Sequence, residues 1–168
     1  MAEPYFVLSK EDQGEVLEQA RAKTARPTHL LEKDVWVVWT LRALFDSPLA
    51  ADLTFKGGTS LSKVYKIIDR FSEDIDLTYD IRKLIADLTG GEEFLPASRS
   101  QASKWTKAVR NSLPEWIATE VRPLLQTALE RERLAAKLEI GGVEHDKLLL
   151  HYPAIKPKFP EAADEIPL

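Results

Sequence analysis

Residues 55–80, FKGGTSLSKVYKIIDRFSEDIDLTYD, constrain the fold more than any other part of the sequence. LTFK predicts a short strand that ends at Gly57 and Gly58, and SLSKVYKIID has the apolar spacing of a helix. DIDLTYD then alternates polar and apolar residues, as a half-buried strand does. The sequence therefore predicts a strand, a glycine turn, a helix and a second strand in one compact unit, residues 53–80.

The glycine turn has the composition of a phosphate-binding corner. Glycine tolerates positive φ and lets backbone N–H groups approach a ligand closely. The helix start behind the turn adds unpaired N–H groups and the positive end of a dipole. Thr59, Ser60 and Lys63 add hydroxyl and amino groups. All of these residues are also common at helix starts for structural reasons, so both interpretations stay open.

Asp74 and Asp76 are spaced to lie on one face of the second strand, with Ile75 and Leu77 on the other. Neighbouring carboxylates repel each other unless a cation or a proton lies between them. Hard oxygen ligands suit Mg²⁺, which also accepts phosphate oxygens. The structural alternative is a solvent-facing acidic strand. Together with the glycine turn, the pair predicts a cleft for phosphoryl or nucleotidyl transfer, although the Walker pattern is absent.

These motifs resemble the AbiEii/AbiGii toxin family, a branch of the DNA polymerase beta-like nucleotidyltransferase superfamily. Residues 56–60, 70–72 and 74–77 fit the family pattern, and residues 58–77 are the specific part of the resemblance. It extends from LLEKDVWVVWTL upstream to LLLHYP downstream, over residues 30–153. It implies an α+β fold in which helices flank a mixed sheet. It also implies transfer of a nucleoside monophosphate from a nucleoside triphosphate to an acceptor, with release of pyrophosphate.

The resemblance assigns roles by matching position. The residues implied to bind the triphosphate are Gly57, Gly58, Thr59, Ser60 and Lys63. Asp74 and Asp76 are implied to hold Mg²⁺ or Mn²⁺ and, with Lys63, to act in catalysis. The implied biology is a toxin of a bacterial type IV-like toxin–antitoxin or phage-defence system. GTP or another NTP is then the substrate, tRNA is a candidate acceptor, and a cognate antitoxin protein is the partner.

The sequence departs from the family pattern after HYP. Family enzymes carry a third carboxylate on a later strand, whereas residues 156–168 are expected to form an extended tail rich in proline and acidic residues. Glu139 and Asp146 are candidate substitutes. The alternative hypothesis is therefore a truncated, catalytically impaired module of the same fold that binds a nucleotide or a partner. A third hypothesis is an interaction protein whose aspartates only solvate its surface.

The rest of the chain predicts one domain over residues 1–155, with N-terminal helices in 9–46, a helical region in 100–136 and strands in 137–155. Ser9 is expected to cap the first helix with help from Asp12. In the second helix, Leu31, Val35, Val38 and Leu41 are expected to form the buried stripe, which Trp36 and Trp39 widen. Pro114 is expected to start a new helix, and Pro123 to kink or interrupt it.

Composition limits the classes of function. The net charge of −4 excludes a chain-wide basic field for holding nucleic acid. Lys104, Lys107 and Arg110 recur at helical spacing, which indicates either a solvated helix face or a local nucleic-acid contact. No apolar run reaches the length of a membrane helix, the N-terminus does not resemble a secretion signal, and cysteine is absent. The expected location is the cytoplasm, with no contact with a membrane.

Overall fold

A computed structural model of the chain describes residues 4–58, 60, 74–90, 95–155 and 164–167. Helices form most of it, small antiparallel sheets a smaller part, and turns and irregular segments the remainder, so the predicted α+β class is confirmed. The helices are α1 (Lys10–Thr24), α2 (Thr28–Phe45), α3 (Ile81–Leu84), α4 (Ala86–Thr89), α5 (Arg99–Trp116) and α6 (Arg122–Glu132). The strands are β1 (Leu53–Lys56), β2 (Asp76–Tyr79), β3 (Lys137–Gly141), β4 (Lys147–Tyr152) and β5 (Asp164–Pro167).

Helix α1 begins at the predicted cap. The hydroxyl of Ser9 accepts the backbone N–H of Asp12 at 3.1 Å and donates to the Asp12 carboxylate at 2.7 Å. This reciprocal pair satisfies one of the N–H groups that a helix start leaves without a partner. Short 3-10 helices, Pro4–Val7 and Pro48–Asp52, precede α1 and β1.

Helix α2 buries a different face from the predicted one. Trp36 and Trp39 are buried, as expected, but Val38 is 41% exposed, and Leu31, Val35 and Leu41 are only partly buried. The buried face instead follows Trp36, Val37, Thr40 and Leu44 at steps of one, three and four residues. The predicted stripe is wrong because the two indole rings, which have the largest apolar areas on the helix, turn toward the core and set its rotation.

The same helix also buries a carboxylate. Glu32 is 1% exposed, and its two carboxylate oxygens accept the backbone N–H of Ile155 at 2.9 and 3.1 Å. A buried charge is costly unless it is hydrogen-bonded, so this bond fixes α2 against the segment that follows β4. Burial and, secondly, the Glu32 carboxylate raise the pKa of Tyr5.

The helical region runs with less interruption than predicted. A π-helical segment, Ile117–Val121, joins α5 to α6, and Pro114 lies inside α5, so the expectation that Pro114 starts a new helix is wrong. Pro123 lies in the first turn of α6, directly after the π-helical segment, and it has no N–H to donate to the preceding turn. The wider hydrogen-bonding ring of a π turn can absorb such an irregularity without ending the helix.

The strands form two sheets. Strands β1 and β2 are antiparallel and place Lys56 opposite Asp76. The other sheet has the order β3-β4-β5. The expectation that no strand follows residue 155 is wrong, because β5 pairs with β4 and Ile166, opposite Leu150, is fully buried. Four residues are too few to show a strand period in the sequence. The boundary of the predicted domain at residue 155 stays a prediction.

The hydrophobic core lies between α2, the α5–α6 segment and both sheets. Trp36 stacks on Tyr152 of β4, with ring centroids 5.2 Å apart. At the rim, Trp39 Nε1 and Arg42 Nη2 donate to the carboxylate of Glu132 at 2.9 and 3.0 Å. Burial alone would raise the pKa of Glu132, but these donors and Arg131 bring it below its ordinary value. The contacts clamp α2 to α6.

Candidate active site

The glycine corner and the acidic strand meet at Gly57 and Asp76. Gly57 has φ +77°, a conformation that favours glycine. A Cβ atom built on Gly57 would lie 2.8 Å from Cγ of Asp76 and would collide with a carboxylate oxygen. Glycine is therefore required here for its backbone angle and for its lack of a side chain. The corner and the carboxylate predicted to share one site are in contact.

The next residues complete the corner. Gly58 and Ser60 have helical backbone and directly follow β1. Ser60 is 4% exposed, and its hydroxyl donates to the carbonyl oxygen of Gly57 at 3.0 Å. This bond closes the turn, and it also means that Ser60 must exchange one acceptor for another in order to donate to a phosphate. Thr59 and Lys63 lie outside the described residues, so their predicted roles stay predictions.

The two aspartates lie on the exposed side of their segment. Asp74 and Asp76 are exposed, whereas Ile75 between them is 3% exposed and Leu77 is partly buried. This is the predicted alternation, although Asp74 lies at a bend just before β2 and not in the strand. Within the described ranges, no group of three or more His, Asp or Glu side chains is arranged to hold a metal ion. The donor set here is therefore two carboxylates.

Strand β5 supports the acidic segment from the other sheet. The backbone N–H of Ile75 donates to the carbonyl oxygen of Pro167 at 3.1 Å. Because Ile75 separates the two aspartates, this bond fixes the backbone that carries both of them. Sequence reasoning missed this support. The available signal was a single buried-type residue, Ile166, between Glu165 and Pro167.

The proposed substitutes for a third carboxylate lie elsewhere. Glu139 is on β3, at the edge of its sheet away from β5, and its carboxylate is 3.2 Å from Nε2 of His151. Asp146 lies in the β3–β4 turn against Gly142 and lines an apolar cavity of about 150 Å³. The structure therefore does not bring Glu139 beside the corner, and it gives Asp146 a turn-forming position.

The end of β2 is held by a separate ionic contact. The carboxylate of Asp80 accepts the backbone N–H of Arg82 at 3.0 Å and Nε of the same residue at 2.9 Å. These bonds lower the pKa of Asp80 to about 2. Burial, with a smaller contribution from the Asp52 carboxylate, raises the pKa of Tyr79. Asp80 thus holds the end of the strand through Arg82, and Tyr79 packs on Trp116.

The comparisons with known proteins give one match. The family model described as "Nucleotidyl transferase AbiEii toxin, Type IV TA system" matches residues 39–166, which is more than half of the chain. No curated protein matches, and neither does any solved structure. In the part of the chain that the structure describes, no helix is long and apolar enough to cross a membrane.

Proposed function

This chain belongs to the AbiEii nucleotidyl transferase toxin family of type IV toxin–antitoxin systems, and on that premise we propose that it transfers a nucleoside monophosphate from an NTP to an acceptor and releases pyrophosphate. Membership in the family implies a nucleotide substrate and an antitoxin partner. The contact between the Asp76 carboxylate and Gly57 carries the proposal for this chain. It brings the predicted metal ligand to the predicted phosphate corner.

We propose Asp74 and Asp76 as the ligands of Mg²⁺ or Mn²⁺. Their carboxylates lie on one exposed side of the strand segment, and an all-oxygen donor set fits a hard divalent cation that keeps waters and accepts phosphate oxygens. When bound, such a cation neutralises charge on the transferring phosphates. The buried Ile75 between them, tied to Pro167, keeps the two carboxylates on a fixed backbone.

The corner residues are proposed to hold the triphosphate. The positive φ of Gly57 and the helical backbone at Gly58 and Ser60 turn the chain where N–H groups can meet phosphate oxygens. Thr59 and Lys63 are proposed as additional donors. The hydroxyl of Ser60 closes the turn, so its main contribution is to keep the corner in shape. Lys63 is also proposed to stabilise charge during transfer.

The finer biology is proposed with the reaction. GTP is one candidate substrate among the NTPs, and tRNA is the candidate acceptor. The proposed location is the cytoplasm, where both are found, and the proposed role is that of a toxin in bacterial defence against phage. These assignments rest on the family and on the corner geometry.

The direct test is nucleotidyl transfer. The protein is incubated with each of four α-labelled NTPs, Mg²⁺ or Mn²⁺, and total tRNA, beside Asp76→Asn and the control Asp87→Asn. Asp87 is exposed on α4. Its substitution by Asn therefore changes the charge by the same amount at a position outside the corner. The wild type and the control should label RNA, and Asp76→Asn should be slower by about 10²-fold. Equal labelling by all three proteins, or none with either metal, would contradict the proposal.

A second candidate function is nucleotide binding without transfer. It is favoured because Glu139 and Asp146 do not join the aspartates in the structure. Calorimetry separates the two candidates, since a binding module would take up NTP with Mg²⁺ but release no pyrophosphate. If the aspartates only solvate the surface, Asp74→Asn/Asp76→Asn would raise the melting temperature and change no binding, because it relieves repulsion between carboxylates.

A further inference from the structure

Helix α5 concentrates positive charge in an acidic protein. Its sequence, RSQASKWTKAVRNSLPEW, contains four basic residues and a single acidic one, whereas the whole chain has a net charge of −4. The basic residues are Arg99, Lys104, Lys107 and Arg110. A local excess of this kind produces a positive potential that a chain-wide charge count conceals.

Two of these cations line a groove. The groove has a volume of about 680 Å³ and lies between α5 and the turn that joins β3 to β4. The α5 residues that line it are Ser103, Thr106, Lys107, Arg110, Asn111 and Pro114, and Glu144 lies on the opposite wall. The α5 positions recur at steps of one, three and four residues, so they form one face of the helix. Arg99 and Lys104 lie outside this lining.

In the part of the chain that the structure describes, the two groove cations form no ion pair. Within the described ranges, neither Lys107 nor Arg110 has a carboxylate within 4 Å or a hydrogen-bond partner. Some other arginines of the described residues are paired, as in the Arg21–Glu18 contact at 2.9 Å. Unpaired cations in a concave surface favour an anionic ligand, because binding then costs no existing ion pair.

The lining also indicates which anion fits. Hydroxyls of Ser103 and Thr106 and the amide of Asn111 stand among the cations, and these groups donate to phosphate and ribose oxygens. Among the described residues, no aromatic side chain lines the groove, which favours contacts with the nucleic-acid backbone over stacking of unpaired bases. Double-helical RNA is recognised through phosphates and 2′-hydroxyl groups. We propose that the groove along α5 binds double-helical RNA by its sugar–phosphate backbone, with Glu144 accepting from a 2′-hydroxyl.

Strand β2 separates the groove from the proposed nucleotide corner. Trp116 at the end of α5 stacks on Tyr79 of β2, with ring centroids 4.4 Å apart. Tyr79 and Asp76 are three residues apart on one strand, so their side chains point to opposite faces. Helix α5 therefore covers the face of β2 that Asp76 does not use. RNA binding in the groove requires neither an NTP nor transfer, and this proposal does not depend on the proposed reaction.

The test is RNA binding without NTP or divalent metal. Fluorescence anisotropy measures the affinity for a labelled RNA duplex of about 16 base pairs, a length that a small RNA-binding domain spans. Lys107→Gln/Arg110→Gln removes both groove cations. The matched control, Arg99→Gln/Lys104→Gln, removes the same charge from the same helix outside the groove. Circular dichroism confirms that both variants melt as the wild type does.

The groove variant should bind about tenfold more weakly, and the slope of log K against log salt should decrease in magnitude by about 1.8, since two phosphate contacts with a duplex are lost. The control should stay within about twofold of the wild type, because its charges lie outside the groove. A DNA duplex of the same sequence should bind more weakly than the RNA, because it lacks the 2′-hydroxyl.

Three outcomes would overturn the proposal: no RNA binding by the wild type at about 50 mM salt, equal weakening by both variants, or equal affinity for RNA and DNA. Displacement of the RNA by an acidic peptide at equal charge concentration would also overturn it, because the groove would then bind any polyanion. NTP binding measured by calorimetry on the same variants should be unchanged. A failure here is thereby distinguished from a failure of the proposed reaction.

Discussion

The carboxylate of Asp76 lies against the Cα of Gly57, and this contact joins the phosphate corner to the acidic strand. It follows from the register of β1 and β2, in which Lys56, the residue before Gly57, is paired with Asp76. A strand pair that ends at this point brings the carboxylate over the first residue of the turn. Because of this close approach, a side chain at position 57 would disturb both the proposed metal ligand, Asp76, and the proposed phosphate corner.

Gly57→Ala should therefore remove nucleotide binding and destabilise the fold. The variant places a methyl group against the Asp76 carboxylate at a φ of +77°, and the backbone strain alone costs about 1–2 kcal/mol. We expect the free energy of unfolding in urea to fall by about 2–3 kcal/mol. Calorimetry should show no binding of NTP with Mg²⁺.

Gly90→Ala is the control for strain alone. Gly90 has φ +64°, but a Cβ built there meets none of the described residues within 4 Å. It should cost about 1–2 kcal/mol and leave nucleotide binding intact. Equal losses of stability and of binding in the two variants would contradict the role assigned to the Asp76 contact.

Ser60→Ala should mainly weaken the turn. The buried Ser60 hydroxyl donates to the carbonyl oxygen of Gly57 at 3.0 Å, and the loss of such a bond costs about 1 kcal/mol. Urea denaturation should show this loss in the absence of nucleotide. Ser103→Ala, at an exposed position on α5, should cost less than about 0.5 kcal/mol. Unchanged stability with a large loss of NTP affinity would instead assign the hydroxyl to the phosphate.

Ile166→Ala should loosen the acidic segment from a distance. Ile166 is fully buried on β5, and its truncation should cost about 2–5 kcal/mol. Because Pro167 on the same strand accepts the N–H of Ile75 at 3.1 Å, the Ile75 amide should exchange its hydrogen faster in the variant. Val143→Ala, at a fully exposed position, should change neither quantity. Undiminished protection of the Ile75 amide would show that β5 does not hold the segment.

The sequence predicted the parts of the site that depend on local chemistry. Positive φ at a glycine turn and alternation along a strand are properties of a few adjacent residues, and both are present at Gly57 and from Asp74 to Leu77. The family resemblance was likewise carried by adjacent residues, and the family match confirms it. The roles of the site residues stay predictions, because no ligand contact has tested them.

The parts that failed depend on contacts between distant segments. Strand β5 exists because Ile166 fills the core beside β4, which no pattern within four residues reveals. The rotation of α2 depends on the position of the core against which Trp36 and Trp39 pack. Two apolar faces on one helix are both periodic, so the sequence alone does not show which of them is buried. Glu32 lies in the LLEKDVWVVWTL segment, where no local pattern predicts its burial, and its partner Ile155 lies far along the chain.

Asp80→Asn should change how stability depends on pH. Bonds from Arg82 lower the pKa of Asp80 to about 2 in the folded protein, below the ordinary value of about 3.9. A carboxyl group with a lowered pKa stabilises the folded state above its unfolded pKa, and that contribution is lost as the pH falls through the folded pKa. The free energy of unfolding of the wild type should therefore exceed that of the variant by a constant amount above about pH 5, and the difference should shrink between about pH 4 and pH 2. The constant difference should not exceed about 1 kcal/mol, because the ion pair is accessible to solvent, and asparagine can still accept the backbone N–H of Arg82.

Urea denaturation at each pH measures the difference in the free energy of unfolding, with Asp87→Asn as the control that should show no such trend. A difference that grows toward low pH would mean that the carboxylate is not what holds Arg82 at the end of β2.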